Sequence, residues 1–276
     1  MTSRAELTLS PIVRTMLIGV FIVSCVPAYA LNPNFALSKY IHRSWGSDSG
    51  LQTVRRVAQT PDGYLWLTTT VGLVRFDGVR FTTYERASDQ SLDNSSALLV
   101  DPDGSLWVAT FGGVIAHYQA GIFRAYGARQ GLPSDPLQAL YRDSHGALWV
   151  GTREAGIFRL VNGRFEKVAL DIPSGPVFGF LEDSDQSLWI ATYGNGLFRV
   201  KNGSVQAFSV KDGLPDNRVV GLYQDHSGKI WTFGLKGVST WNGTRFVRHP
   251  AVNSVVTFAA QCTEDRDGNL WIASRP

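Results

Sequence analysis

Cysteine is scarce in this chain: its 276 residues hold only Cys25 and Cys262. A disulfide framework is therefore excluded, and if Cys25 leaves with the N-terminus no internal disulfide can form. Long apolar runs are scarce as well. The run from Met16 to Val26 is 11 residues, whereas a membrane-spanning helix needs roughly 20. Charge of one sign is nowhere concentrated, since the formal net charge is +3 and the Arg and Lys residues are scattered without a run. A nucleic-acid partner, which needs a basic stripe or patch, is not expected.

What the chain has is glycine, aromatics and a period. The stretch Asp62-Gly63-Tyr64-Leu65-Trp66-Leu67-Thr68-Thr69 returns in altered form along nearly the whole sequence. Its tryptophans are Trp66, Trp107, Trp149, Trp189, Trp231 and Trp271, at successive intervals of 41, 42, 40, 42 and 40 residues. A fixed period of that size means that the repeat, and not the chain, is the folding unit. The residue three before each Trp is Gly63, Gly104, Gly146, Gln186, Gly228 or Gly268, which suits a tight turn with positive φ. Six before stand Thr60, Asp101, Asp143, Asp183, Asp225 and Asp265, and an Asp there can cap the turn. The apolar run that follows reads as a strand leaving a hairpin.

The first repeat divides into strands at 52–60, 64–70, 72–76 and 80–85, with Asp77-Gly78 as the last hairpin signal. The same quartet falls at 95–127, 137–169, 177–209 and 218–249, where Ala120-Gly121, Asn162-Gly163, Asn202-Gly203 and Asn242-Gly243 mark the outer hairpin. Four short strands in about 40 residues is the pattern of a β-propeller blade. The expected fold is an all-β propeller of five complete four-stranded repeats plus a partial sixth. The first strand of each should be innermost, and the Trp of the second should pack between neighbouring blades. Six identically placed tryptophans are structural filler and not six active sites.

The N-terminus stands apart. Arg4 and Arg14 precede the apolar run, and Ala28-Tyr29-Ala30 offers a small-x-small cleavage site. Residues 1–30 thus read as a secretory signal peptide, and the mature propeller domain as 31–276. A lipoprotein processing site at Ile22-Val23-Ser24-Cys25 is the weaker alternative. Residues 36–45, closed by Gly50-Leu51, resemble the end of a repeat, and the chain stops after the second strand of the sixth unit. The ring would then be open, or closed only if 36–45 supplies an outer strand, so a truncated product of a longer protein is expected.

The units Asp103-Gly104-Ser105-Leu106-Trp107-Val108-Ala109-Thr110 and Gly146-Ala147-Leu148-Trp149-Val150-Gly151-Thr152, with Gly156-Ile157-Phe158-Arg159 after the second, resemble the two-component regulator propeller repeat. So do the Gly131-Leu132-Pro133 and Gly213-Leu214-Pro215 turns, and the opening from Leu37 to Phe81 is similar to the start of that family's periplasmic sensor regions. The resemblance covers residues 36–274. It implies an extracytoplasmic sensor module, usually of seven blades, followed in the family by a small β-sandwich, a transmembrane helix and a histidine kinase or diguanylate cyclase. No kinase or cyclase motif is present here.

The expected function is therefore ligand sensing outside the cytoplasm, in the periplasm or as an inner-membrane-anchored receptor. The alternatives are a secreted propeller enzyme, such as a lyase or glycoside hydrolase, and a protein-interaction scaffold. No acid–base pair or metal constellation breaks the repeat, so no catalytic residue, metal or cofactor is expected. The loops between second and third strands should share one face with those joining successive blades, and there the repeats diverge. Arg153, Glu154, Tyr193, Asn195 and Lys236 are the candidates for lining a polar ligand pocket. Aromatic and amide groups would suit a carbohydrate or another small molecule. The expected partners are that ligand and an output domain, with dimerisation left open. His145 and His226 read as solvated turn residues, and His42, His117 and His249 have no ligand spacing. Asp101-Pro102-Asp103-Gly104 lacks the remaining ligands of a calcium loop. Cys262 falls in the column of Val57, Leu98, Leu140, Phe180 and Leu222, a core position where a free thiol behaves as a small hydrophobe.

Overall fold

A computed structural model describes residues 44–45, 51–249, 259–265 and 268–274. The expected signal peptide, its Ala30 site, Cys25, His42 and residues 36–43 lie outside the described residues. Every described residue belongs to one unit, Ser44–Pro276.

Alternating apolar residues and Gly-marked turns give five four-stranded antiparallel sheets, each with strands in sequence order. Sheet 1 comprises Val54–Gln59, Leu65–Thr69, Gly72–Phe76 and Phe81–Tyr84. Sheet 2 comprises Ser95–Val100, Leu106–Thr110, Ile115–Gln119 and Ile122–Tyr126. Sheet 3 follows with Leu137–Arg142, Leu148–Thr152, Ile157–Val161 and Arg164–Lys167. Sheet 4 has Val177–Glu182, Leu188–Thr192, Leu197–Lys201 and Ser204–Phe208. Sheet 5 has Val219–Gln224, Ile230–Gly234, Gly237–Trp241 and Phe246–Arg248. Sheet 6 shows two strands, Ala259–Glu264 and Leu270–Ser274. A short hairpin, Arg86–Ala87 with Gln90–Ser91, is inserted between sheets 1 and 2.

First strands of successive sheets lie side by side from sheet 1 to sheet 6, so they are innermost as the pattern implies. The core is a series of seams, each holding the Trp of one sheet against the next. Trp66 sits with Leu106 and Val108, Trp107 with Leu148 and Val150, and Trp189 with Val219 and Ile230. The sequence does not disclose one regular feature. The first strand of every sheet carries a bulge near its start, between Val54 and Arg56, Ser95 and Ala97, Leu137 and Ala139, Val177 and Gly179, Val219 and Gly221, and Ala259 and Gln261. A bulge re-aims the extra residue, here Arg55, Ser96, Gln138, Phe178, Val220 and Ala260.

The Gly-Leu-Pro turns are explained by packing. Gly131 and Gly213 have φ of 92° and 96°, and a side chain on either would collide with the backbone carbonyl of Phe165 or Phe246 in the outer strand of the next sheet. Leu132 and Leu214 are buried in the seams that these turns close. Trp45 stands where Tyr126 stands in sheet 2, five residues before a Gly-Leu pair. It meets Phe81 edge-on at 5.9 Å, as Tyr126 meets Phe165 at 5.8 Å. Trp45 thus packs on sheet 1 with the geometry that Tyr126 has on sheet 3.

Sheets 1 and 6 face one another across a gap of about 570 Å³ lined by Val57, Leu65, Cys262, Trp271 and Ile272. Val57 is 43% and Trp271 39% exposed. Burial pushes the Cys262 thiol up to about 11, so it stays protonated, in keeping with an apolar position.

Candidate functional site

The two ends of the strands do different work. At one end lie the turns between first and second strands, where the Asp column proves to be doubly used. One carboxylate oxygen caps the turn: Asp183 Oδ1 accepts from Asp185 N at 3.0 Å and Ser187 N at 2.9 Å. The other accepts the indole N–H six residues on, at 2.8 Å for Trp107, 2.7 Å for Trp149, 2.8 Å for Trp189, 2.7 Å for Trp231 and 2.8 Å for Trp271. In sheet 1 Thr60 substitutes, accepting from Trp66 at 3.2 Å. Gln186 also takes a positive φ, 58°, where the glycines of its column lie between 81° and 90°.

These turns are also stitched from sheet to sheet. Glu182 accepts from Ser144 N at 2.6 Å and Glu264 from His226 N at 2.7 Å, each reaching back to the preceding sheet. Where the preceding turn has Pro61 or Pro102, no N–H exists, and the corresponding residues are Val100 and Arg142. Arg142 instead grips Asp101 with Nε at 2.6 Å and Nη2 at 2.7 Å. His145 and His226 are mostly exposed, as expected, yet each lies beside one of these carboxylates, at 4.0 Å from Glu182 and 3.5 Å from Glu264. His117 stacks on Trp107 at 4.0 Å, and its burial lowers its pKa.

At the opposite end the second-to-third loops interlock with the inter-sheet loops, so the two sets share a face as expected. Arg153 N donates to Pro136 O, Tyr193 N to Pro176 O, and Gly194 N to Asn217 O. Hydroxyls of Thr69, Thr152 and Thr192 fix the loops by donating to Gly72 O, Gly156 O and Gly196 O at 2.8, 2.8 and 2.7 Å. Asp135 accepts from Glu154 N at 2.7 Å and Ala155 N at 2.8 Å. Burial raises its pKa, but these donors outweigh that and leave it lowered. The face is a rigid frame, not a set of loose loops.

Four of the five candidate residues divide into two groups, and Arg153 joins neither. Glu154 lines a cavity of about 170 Å³ with Lys167, Ser174 and Gly175, and Asn195 Nδ2 donates to Ser174 O in its wall at 3.0 Å. Tyr193 and Lys236 instead gather about two residues that the sequence reading missed, Asp216 and Arg218. Asp216 is 7% exposed. It accepts from Arg218 N at 2.9 Å, Nε at 3.0 Å and Nη2 at 2.6 Å. That guanidinium holds the Asp216 carboxyl below the usual carboxylate range, with Lys236 adding to the effect. Tyr193 bridges to Arg218 through the backbone, and its ring meets Phe178, the bulged residue of sheet 4, at 5.5 Å. Arg153 is exposed at the neighbouring loop of sheet 3. A signal for the missed pair was present: the column holding Thr53, Asn94, Pro136 and Pro176 becomes Arg218, and that holding Leu51, Leu92, Ser134 and Ser174 becomes Asp216. A second aromatic and arginine meet at sheets 1 and 2, where Arg55 lies 4.6 Å over Phe111. Among the described residues no group of three His, Cys, Asp or Glu could hold a metal ion.

Radial four-stranded sheets, innermost first strands and a Trp in each seam define a β-propeller. Residues 89–112, 131–154 and 171–194 match the two component regulator propeller model. The three matched stretches are thus similar to that family's repeat. No curated protein matches the sequence significantly. Among solved structures, the extracellular domain assigned to a hybrid two component system of B. thetaiotaomicron is similar at 24% identity and a TM-score of 0.72, covering 84% of this chain and 34% of that one. The chain therefore spans about a third of that domain. A virginiamycin B lyase from Staphylococcus aureus matches at 14% identity and a TM-score of 0.58, covering 81% of this chain and 70% of the lyase. A gluconolactonase from Xanthomonas campestris matches at 18% and 0.57, covering 80% and 82%. At these identities the likeness is one of fold.

Proposed function

We propose that this chain is the extracytoplasmic ligand-sensing propeller of a two-component or cyclic-di-GMP receptor, with its ligand on the face of the second-to-third loops. One observation carries the reading. The scaffold repeats its turns, indole bonds and bulges, whereas the loop columns on that face differ from sheet to sheet, and at sheets 4 and 5 they bring Phe178, Tyr193, Asp216, Arg218 and Lys236 together. Divergent loops on a rigid repeat frame are where a binding function is housed. The repeat family, the extracellular domains of two component systems among the structural relatives and the signal-like N-terminus support a place outside the cytoplasm.

A lyase or lactonase reading would need a proton-transfer pair in a pocket. The histidines beside carboxylates, His145 and His226, belong to the opposite end of the strands, in exposed turns. The test is a thermal-shift screen of the full chain against neutral sugars, sugar acids and small organic acids. A ligand that raises the midpoint in the native protein and loses its effect in Tyr193→Ala supports the reading. Stabilisation unchanged in both Tyr193→Ala and Lys236→Ala, or cleavage of the compound on incubation, overturns it.

A further inference from the structure

The pairing of Arg218 with Asp216 leaves a definite part of the guanidinium unused. Asp216 takes Nε and one hydrogen of Nη2, so it does not use the donors on the edge formed by Nη1 and Nη2, and the Tyr193 hydroxyl lies within hydrogen-bonding reach of the same guanidinium. That edge is a fixed fork of the width of a carboxylate. The buried carboxylate, 9% exposed in its side chain, holds the fork in place, while the guanidinium side chain is 38% exposed. Orientation is thus settled before any ligand arrives, which lowers the cost of binding. Asp216 cancels the charge of Arg218, but Lys236 acts on the same carboxylate from the next loop. The cluster therefore stays net cationic. Beside it Tyr193 offers a ring that is 37% exposed and is backed by Phe178 at 5.5 Å. A flat apolar surface next to an anion fork recognises a ring that bears an acid.

We infer that the loop face at sheets 4 and 5 binds a carboxylate carried on a six-membered ring, with Arg218 gripping the carboxylate and Tyr193 lying against the ring. Asp216 is a positioning residue and touches no ligand. The inference rests on the sensing reading and specifies its ligand. Two sources share this chemistry, a sugar acid and an aromatic acid, and the recognition described here requires only the acid and the ring.

Saturation-transfer NMR and calorimetry on the full chain, with galacturonate, 4-hydroxybenzoate and galactose as probes, test it. At least one of the two acids is expected to bind about tenfold or more tightly than galactose, the scale of a charge-assisted bidentate pair. Galacturonate alone identifies the sugar-acid source, and 4-hydroxybenzoate alone the aromatic one. Arg218→Lys, which keeps the charge and loses the fork, is expected to weaken that binding by about tenfold. Because a single truncation strands a buried carboxylate, the double variant Asp216→Ala with Arg218→Ala removes both charges and should abolish acid binding while circular dichroism remains native. His145→Ala, at the other end of the strands, should bind as the native chain does.

Galactose binding as tightly as both acids, no binding by either acid, or full affinity in Arg218→Lys and the double variant each overturns the inference. If galactose binds as tightly as both acids and Tyr193→Ala abolishes it, this inference fails while the sensing reading stands.

Discussion

A carboxylate six residues before a tryptophan carries more of this structure than either residue does alone. Asp183 caps its turn, accepts the indole N–H of a fully buried Trp189 and receives Arg199 at 3.2 Å. Arg199 in turn lies 5.1 Å from the Trp189 ring. Removing the carboxylate takes the acceptor from the backbone N–H groups of Asp185 and Ser187, from the Trp189 indole N–H and from Arg199 Nη2, and an unsatisfied buried donor costs about 1 to 3 kcal/mol. Asp183→Ala should therefore lower the stability by at least about 2 kcal/mol in urea unfolding, and more than Thr60→Ala, whose hydroxyl serves one indole. Asp216 makes a second prediction, this one in pH. Its folded pKa is depressed by Arg218, so its stabilising contribution is present above the ordinary carboxylate value of about 3.9 and is lost as pH falls through the lower folded value. Native protein should exceed Asp216→Asn in stability by a constant margin from neutral pH down to about 5. The margin should shrink as the pH drops below about 4, as read from unfolding midpoints across the series.

Among the elements, the Gly-Leu-Pro turns and the second-to-third loops show how a repeat couples one sheet to the next. Gly213 has a φ of 96° and no room for a methyl group against Phe246 O. Gly213→Ala thus combines backbone strain with a collision across the seam between sheets 4 and 5, and should cost about 2 kcal/mol or more in thermal unfolding. Gly163→Ala, at a positive φ with nothing near it, should cost clearly less. The same comparison separates what could be read in advance from what could not. Gly213 was visible as part of a motif, and its strand neighbours were placed from hairpin dipeptides alone. Its contact with Phe246, 33 residues on, depends on how two sheets meet. The bulges were equally hidden, because no residue type recurs among Arg55, Ser96, Gln138, Phe178, Val220 and Ala260. A bulge is set by the need to bend an inner strand, and its extra residue is free to differ.

For the whole propeller unit, stability in a stacked repeat is close to a sum over neighbouring seams. The seam holding Trp189 is closed on both sides, whereas Trp271 is 39% exposed beside the gap to sheet 1. The sixth sheet shows only two strands, with the outer edge of Leu270–Ser274 unpaired among the described residues. Hydrogen exchange should accordingly find the amides of Cys262, Thr263 and Trp271 exchanging well before those of Phe180, Leu181 and Trp189. Equal protection across sheets 4 and 6 would show that the gap is closed in solution.

Local regularity belonged to the sequence by itself. The period, the four strands of each repeat, the Gly turns and the tryptophan seams follow from short-range patterns that every repeat restates, so each was legible in residues close together in the chain. The five loop candidates were legible only as divergence, because a residue that departs from a repeat announces that it differs and not what it meets. Tertiary structure decided the rest. It divided four of those five between two groups, left Arg153 apart, placed Asp216 and Arg218 at the centre of one group, and turned the bulged Phe178 against Tyr193. Those contacts join loops of different sheets, and their geometry is set by the radial packing of the seams, which no single repeat encodes.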